Sequence, residues 1–394
     1  MQFLKKGLFT LFALLWYCSS QIDKPANKVE STINFKINYN VLNKDGKDEK
    51  EILLLWKNFL NNSDFFNEHN KECQSYWTIP TDFSAPNRFL RFLDDIKTYA
   101  AKSQVTVIGL YQLKKDTFVV KTMFNFNSDK EKMIMLDNII TIFAVRTYQG
   151  FKFMTMPEWY SYKWQKQQVG NIKYYHNESH TFDNRLAVRL DSFNTYLSQK
   201  FKIPVVKFTY FVGENTAESY QIMGYDFTPQ QFTSNQYGAV ADPVNKVIFA
   251  GNGTEYYPHE VVHLYTNQFW GKDNLYYHSW FDEGIATLFG GSRGYALEWH
   301  LEKLKKYLQD NPQERLNDIS TLGTVPNGEF MTEYNYAIGG LLCKKVYEAK
   351  GMDGLFALLK SGYTDEDFYQ TVEQFLGVKK ENFGTFIRSE LNKM

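Results

Sequence analysis

Cysteine is scarce: the chain has 3 in 394 residues, Cys18, Cys73 and Cys343. Two or three cysteines so far apart cannot form a disulfide framework, so a packed core, with or without a metal, must hold the fold. An excess of charge of either sign is also missing. Lysine plus arginine equal aspartate plus glutamate at 44 each. With no basic surplus and no nucleic-acid motif, no nucleic-acid partner is expected. After the first 20 residues no apolar run is long enough for a membrane span, so no integral span is expected in the mature chain. Internal repeats and low-complexity segments are absent too. What is abundant is apolar and aromatic side chain, at 43% and 17%. That composition supports large cores and argues against long disorder. The length suits two domains better than one.

The chain starts as export signals do. In "MQFLKKGLFTLFALLWYCSS", Lys5 and Lys6 precede an apolar run from Leu8 to Tyr17. Small residues at Cys18 and Ser20 then predict cleavage before Gln21, making residues 1–20 a signal peptide and the protein secreted or periplasmic. The alternatives are an uncleaved anchor, for which the apolar run is short, and a lipid anchor on Cys18. The bulky Tyr17 before that cysteine counts against it.

An α+β architecture is expected. "STINFKINYNV" alternates as a strand, and "KEILLLWKNFLNN" and "PNRFLRFLDDIKTYAAK" carry helical apolar spacing. "QVTVIGLYQL", "TFVVKTMFNF", "NIITIFAVRTY" and "FKFMTMP" are strand-like and separated by turn residues, as in hairpins. Together they predict a small α+β domain over 30–158, similar in outline to the cone-shaped nuclear-transport-factor-2-like group, with no motif behind the likeness. "EWYSYKWQKQQVGN" has no clear period and marks the expected boundary. A second domain over 167–394 opens with strands at "NIKYYH" and "PVVKFTYFVG" around an amphipathic helix, "DNRLAVRLDSFNTYLSQKF". A turn and strand, "AVADPVNKVIFAG", follow. From Tyr256 onward the pattern is almost wholly helical, with helices expected over 256–270, 280–290, 296–309 and 332–349.

Within the first of these helices stands His259-Glu260-Val261-Val262-His263. Residues four apart share a helix face, about 6 Å apart along the axis. Two histidines so placed can present ring nitrogens to one zinc ion at about 2.0–2.1 Å. Glu260, beside the first, points partly sideways and can reach a water there without displacing a ligand, where a general base belongs. The bland alternative is a helix face with unrelated histidines. A zinc peptidase site needs a third protein ligand and an open fourth position. About twenty residues after His263, "YYHSWFDEGIATLFGG" predicts a second helix with Ser279 as N-cap and Glu283 in its first turns. Gly284 would let that helix approach closely. Alone, Glu283 would read as a glutamate stabilising its own helix N-terminus.

His-Glu-x-x-His, a gap of about twenty residues, then Glu-Gly-x-Ala after an aromatic residue resembles the gluzincin metallopeptidases. "WFDEGIATLF" is most similar to the aminopeptidase N-type and peptidase MA-like domains. The resemblance covers about residues 167–394. It implies a thermolysin-like catalytic domain, Zn2+ held by His259, His263 and Glu283, Glu260 as base and proton shuttle, and a peptide or protein substrate. In the aminopeptidase N-type enzymes a tyrosine three residues before a glycine stabilises the oxyanion. "EYNYAIGGLLCKKVYEAKG" places Tyr336 there, before Gly339, with Tyr334 as the fallback. A phenol opposite zinc would share the negative charge of a tetrahedral intermediate.

Two departures qualify the resemblance. The Gly-Ala-Met-Glu-Asn motif that binds a free amine is absent, which argues against a true aminopeptidase. "NKVIFAGNG" is expected in its place as an edge strand for an extended peptide. One turn after the third ligand, where relatives are often acidic, stands Thr287, expected to hold a ligand histidine weakly. The other histidines carry less. His278 is expected in a loop, His176 and His180 in solvent, and His69 and His300 have no supporting pattern. The expectation is an exported zinc metallopeptidase. Its rival is a catalytically silent zinc protein of the same fold that acts as a binding module.

Overall fold

The computed structural model describes residues 33–42, 46–61, 71–78, 103–128, 133–232, 238–269, 278–325 and 332–394. The expected signal peptide with Cys18, the helix expected over 86–102, and His69 lie outside them. The protein is α+β, as its patterning indicated. Its elements in chain order begin with β1 (Asn34–Ile37), α1 (Tyr39–Leu42), α2 (Lys47–Asn61) and α3 (Lys71–Ser75). β2 (Ser103–Lys114), β3 (Thr117–Ser128), β4 (Met133–Thr147) and β5 (Gly150–Met154) follow, then α4 (Met156–Lys163), β6 (Gln165–Val169) and β7 (Ile172–His176). Next come α5 (Asn184–Phe201), β8 (Phe208–Gly213), α6 (Thr216–Met223), β9 (Tyr225–Phe227), β10 (Gly238–Asp242) and β11 (Val247–Gly251). The last elements are α7 (Pro258–Thr266), α8 (Ser279–Gly290), α9 (Leu297–Asp310), α10 (Gly340–Leu358), α11 (Asp365–Leu376) and α12 (Phe383–Asn392).

Two compact units emerge. A sheet unit comprises residues 33–191 and 207–255, and a helical unit comprises 192–206 and 256–394. The sheet unit holds one sheet ordered β1-β2-β3-β4-β5, with β9 also paired to β4, and a second ordered β10-β11-β8-β7-β6. The strands β8 and β11 are buried along their whole length and pair in parallel, which explains their unbroken apolar runs. The polar β6, "QKQQV", closes one edge, where charge and amide groups discourage further pairing.

Both sheets contribute to one core. Trp56, Phe59, Trp77 and Phe153 cluster in it, as do Tyr175, Phe211 and Phe249, whose rings stack in sequence. α2 supplies Ile52, Trp56, Phe59 and Leu60 from one face, the spacing that its sequence showed. This shared core, together with the β4–β9 pairing, is why contacts group 207–255 with the first half of the chain. Composition had placed a boundary at 158–167 instead. There the aperiodic bridge is ordered: Thr155 caps α4 by accepting from the Glu158 N–H, and β6 follows directly. β11 is not the expected edge strand. The chain before it folds back antiparallel, so β10 takes the edge and β11 lies inside.

In the helical unit, α7 begins with Pro258 at its first turn, where a missing N–H costs nothing. Its far face is anchored by Tyr265, whose hydroxyl donates to Asn194 Oδ1 at 2.6 Å and accepts from the Val206 N–H at 3.2 Å. α8 is capped by His278, not Ser279. The His278 Nδ1 accepts from the Trp280 N–H, and the ring packs against Phe368 at 4.9 Å. Two glycines set the approach of α8 to its neighbours. A Cβ on Gly284 would run into the Gly339 carbonyl, and one on Gly290 into the backbone of Pro258 and His259. Residues Asn335–Gly339 form one π-helical turn before α10, an irregularity frequent at functional sites. Among the described residues no helix is long and apolar enough to cross a membrane.

Candidate metal centre

Helices α7 and α8 bring the pentad and Glu283 together. His259, Glu260 and His263 are 4%, 7% and 9% exposed. One potential ligand atom from each lies within 4.8 Å of the other two. Glu283 arrives from α8: its Oε2 lies 3.0 Å from His259 Nε2 and 3.8 Å from His263 Nε2. Two carboxylates therefore adjoin the imidazoles. Glu283 faces both Nε2 atoms from the opposite helix, as a third ligand should. Glu260 comes from the same helix turn as His259 and reaches the cluster from its side.

The remaining ring nitrogens are occupied. His259 Nδ1 is 2.6 Å from the Gly291 carbonyl oxygen, and His263 Nδ1 is 2.9 Å from Asp282 Oδ2. Acceptors on both Nδ1 atoms favour protons there, which leaves both Nε2 lone pairs for a cation. Two Nε2 atoms with a carboxylate oxygen of Glu260 or Glu283 beside them are donors of the kind that can hold a divalent metal. Thr287 does not hold a histidine, because its hydroxyl donates to the Glu283 carbonyl at 2.8 Å within its own helix. Asp282 takes that role. Sequence reasoning passed over it, although its place beside the glutamate was visible.

The charges respond to one another. Burial alone would lower the His263 pKa, but Asp282, Glu283 and Glu260 overcome this and push it up to about 10. Burial would raise Glu283. The hydrogen bond from His259 and the positive charges of His263, His259 and Arg293 outweigh it and hold the carboxyl below its usual range.

Tyr336 stands on the π-turn, with its ring 5.7 Å from that of His259, edge to face. Burial, then Glu333 and Glu283, push its phenol well above the ordinary value, so it stays protonated. Tyr334, two residues earlier, points its hydroxyl at Glu314 instead, at 3.4 Å. Residues two apart on a helix point to nearly opposite sides, so only one of the two tyrosines can face the histidines. His300, which had no supporting pattern, is fully buried between Thr332 Oγ1 at 2.7 Å and the Ser292 carbonyl at 3.0 Å. Its ring lies 6.0 Å from that of Tyr336.

His176 and His180 are not in solvent. In the sheet unit, His176 is 5% exposed at the end of β7, and His180 Nε2 lies 2.6 Å from the buried Glu255 carboxylate. Their polar flanks hid this: His176 is covered by its place in the sheet between β6 and β8 and by Phe182, and His180 by Glu214 and Glu255. No protein-family model matches the chain, and no curated protein matches it.

Proposed function

We propose that the chain is an exported zinc-dependent peptidase of gluzincin type, with His259, His263 and Glu283 holding the ion. One observation carries this reading: both imidazoles spend Nδ1 on fixed acceptors while both Nε2 atoms face Glu283. Zinc, when bound, supplies Lewis acidity to a peptide carbonyl and brings the pKa of a water to about 7. Glu260 would take a proton from the attacking water and return it to the departing amine, so that the C–N bond breaks with no net proton change. The Tyr336 hydroxyl donates to the carbonyl oxygen as negative charge develops there. In this reading the site lies wholly in the helical unit of 192–206 and 256–394, and the substrate is a peptide or protein.

The test is zinc analysis combined with a peptide-library digest. About one zinc per chain and defined cleavage products are expected. A protein that binds zinc and cleaves nothing would return the silent binding module. Tyr336→Phe should lower kcat about 10²–10³-fold with KM little changed, since its bond forms mainly in the transition state. Tyr334→Phe should leave turnover near wild type. The opposite ranking would move the oxyanion role to Tyr334.

Zinc uptake should also depend on pH. The ion needs a neutral His263, whose proton is held up to about 10 in the metal-free protein. Because this pKa is raised, its contribution to metal-free stability is complete below the unfolded value and fades as pH rises through about 10. Zinc affinity should therefore rise about tenfold per pH unit across the neutral range, with about one proton released per ion. Calorimetry in buffers of different ionisation enthalpy would show this. A heat independent of buffer would mean that His263 is already neutral.

A further inference from the structure

Arg293 follows α8 in a tight turn closed by reciprocal backbone bonds between Ser292 and Tyr295. Its φ is 54°, in the left-handed region that favours glycine, and glycines stand at 291 and 294 beside it. A side chain kept in such a conformation invites a functional explanation. This one is 17% exposed and ion-paired to Glu333. Its guanidinium carbon is 5.5 Å from the Tyr336 ring centroid, and the group hydrogen-bonds the Tyr336 hydroxyl. The Arg293 backbone N–H is in turn held by the hydroxyl of Tyr257, at the head of the zinc-binding helix.

We propose that Arg293 is a positioning residue that aims the Tyr336 hydroxyl, an inference that rests on the zinc-peptidase reading. A guanidinium has donors only. Where it donates to the phenol oxygen, the hydroxyl proton must turn away from it and is free for a substrate oxygen. Glu333 keeps the guanidinium in place and balances its charge. The planar fork can serve Glu333 and Tyr336 together, whereas a lysine ammonium has no such fixed geometry.

The test is a double-mutant cycle on the zinc-loaded protein. Arg293→Lys should keep its zinc and lower kcat by up to about 10²-fold at constant KM. Added to Tyr336→Phe, it should cost no more than Tyr336→Phe alone, because both remove one donor. Penalties that multiply would overturn the proposal, as would wild-type turnover in Arg293→Lys. A second readout does not need turnover. In protein carrying ring-carbon-labelled tyrosine, the Tyr336 Cζ resonance, identified by its loss in Tyr336→Phe, should move in Arg293→Lys, and an unmoved resonance would overturn the proposal. If Arg293→Lys does not fold, Arg293→Met with Glu333→Met removes the pair without leaving a buried charge and should move the same resonance. Should the wild type cleave no peptide, the peptidase reading falls while the resonance still decides whether Arg293 aims Tyr336.

Discussion

Glu260→Gln is expected to keep about one zinc per chain and to lose turnover by about 10²–10⁴-fold. The two halves of this expectation have different origins. Zinc is retained because in the proposed site the ligands are two imidazole Nε2 atoms and the Glu283 carboxylate, and the amide leaves all three in place. Turnover falls because glutamine cannot accept a proton from water, and the leaving amine then receives none. The variant is nearly the same size, and Glu260 is only 7% exposed on a helix that Tyr265 anchors from behind, so folding should survive. Zinc content by metal analysis and kcat on a peptide found in the digest are the measurements. Full activity in Glu260→Gln would sink the gluzincin mechanism. Loss of zinc would instead make Glu260 a ligand, an arrangement that its proximity to both imidazoles makes worth testing.

Asp282→Asn should weaken zinc binding about 10–100-fold, the usual cost of losing the partner that orients a ligand histidine. α8 delivers two consecutive carboxylates in different directions, because successive helical residues are turned by about 100°. Glu283 points at the Nε2 atoms, and Asp282 accepts from His263 Nδ1 at 2.9 Å. An asparagine keeps an acceptor but not the negative charge that makes the imidazole a stronger ligand. His263→Ala removes a ligand outright and should leave no zinc after dialysis. Competition against a chelator ranks the variants. Thr287→Val should bind as wild type does, since its hydroxyl serves only the Glu283 carbonyl. A weak Thr287→Val beside a wild-type-like Asp282→Asn would reverse these roles.

Periodicity in the sequence was enough for α+β architecture, for most strands, and for most helices within a few residues of their ends; the helix expected over 332–349 instead starts with the π-turn at Asn335–Gly339 and runs on as α10 past a non-helical Gly351. It was enough for the pentad as well, because a spacing of four is a property of one helix and needs no knowledge of the rest. Glu283 was singled out because its sequence context resembles a motif, and the fold does bring it beside both histidines. Features that depend on distant chain were not legible. His278 became a cap and a packed ring because Phe368 covers it. His180 became buried through Glu255. β11 became interior because β10 folds back on it.

Local sequence by itself determined which residues share a helix face, and therefore which two histidines could meet one ion. Only the tertiary structure decided what holds them. A backbone carbonyl such as that of Gly291 has no signature in a sequence, yet it sets the His259 tautomer. Two tyrosines two residues apart look alike in a sequence, but the packing around them sets Tyr336 beside His259 and Tyr334 beside Glu314. The physical reason is one of range. Helical and strand periods come from bonds within a few residues, whereas an orienting contact is made by groups that only the packed core brings within about 3 Å.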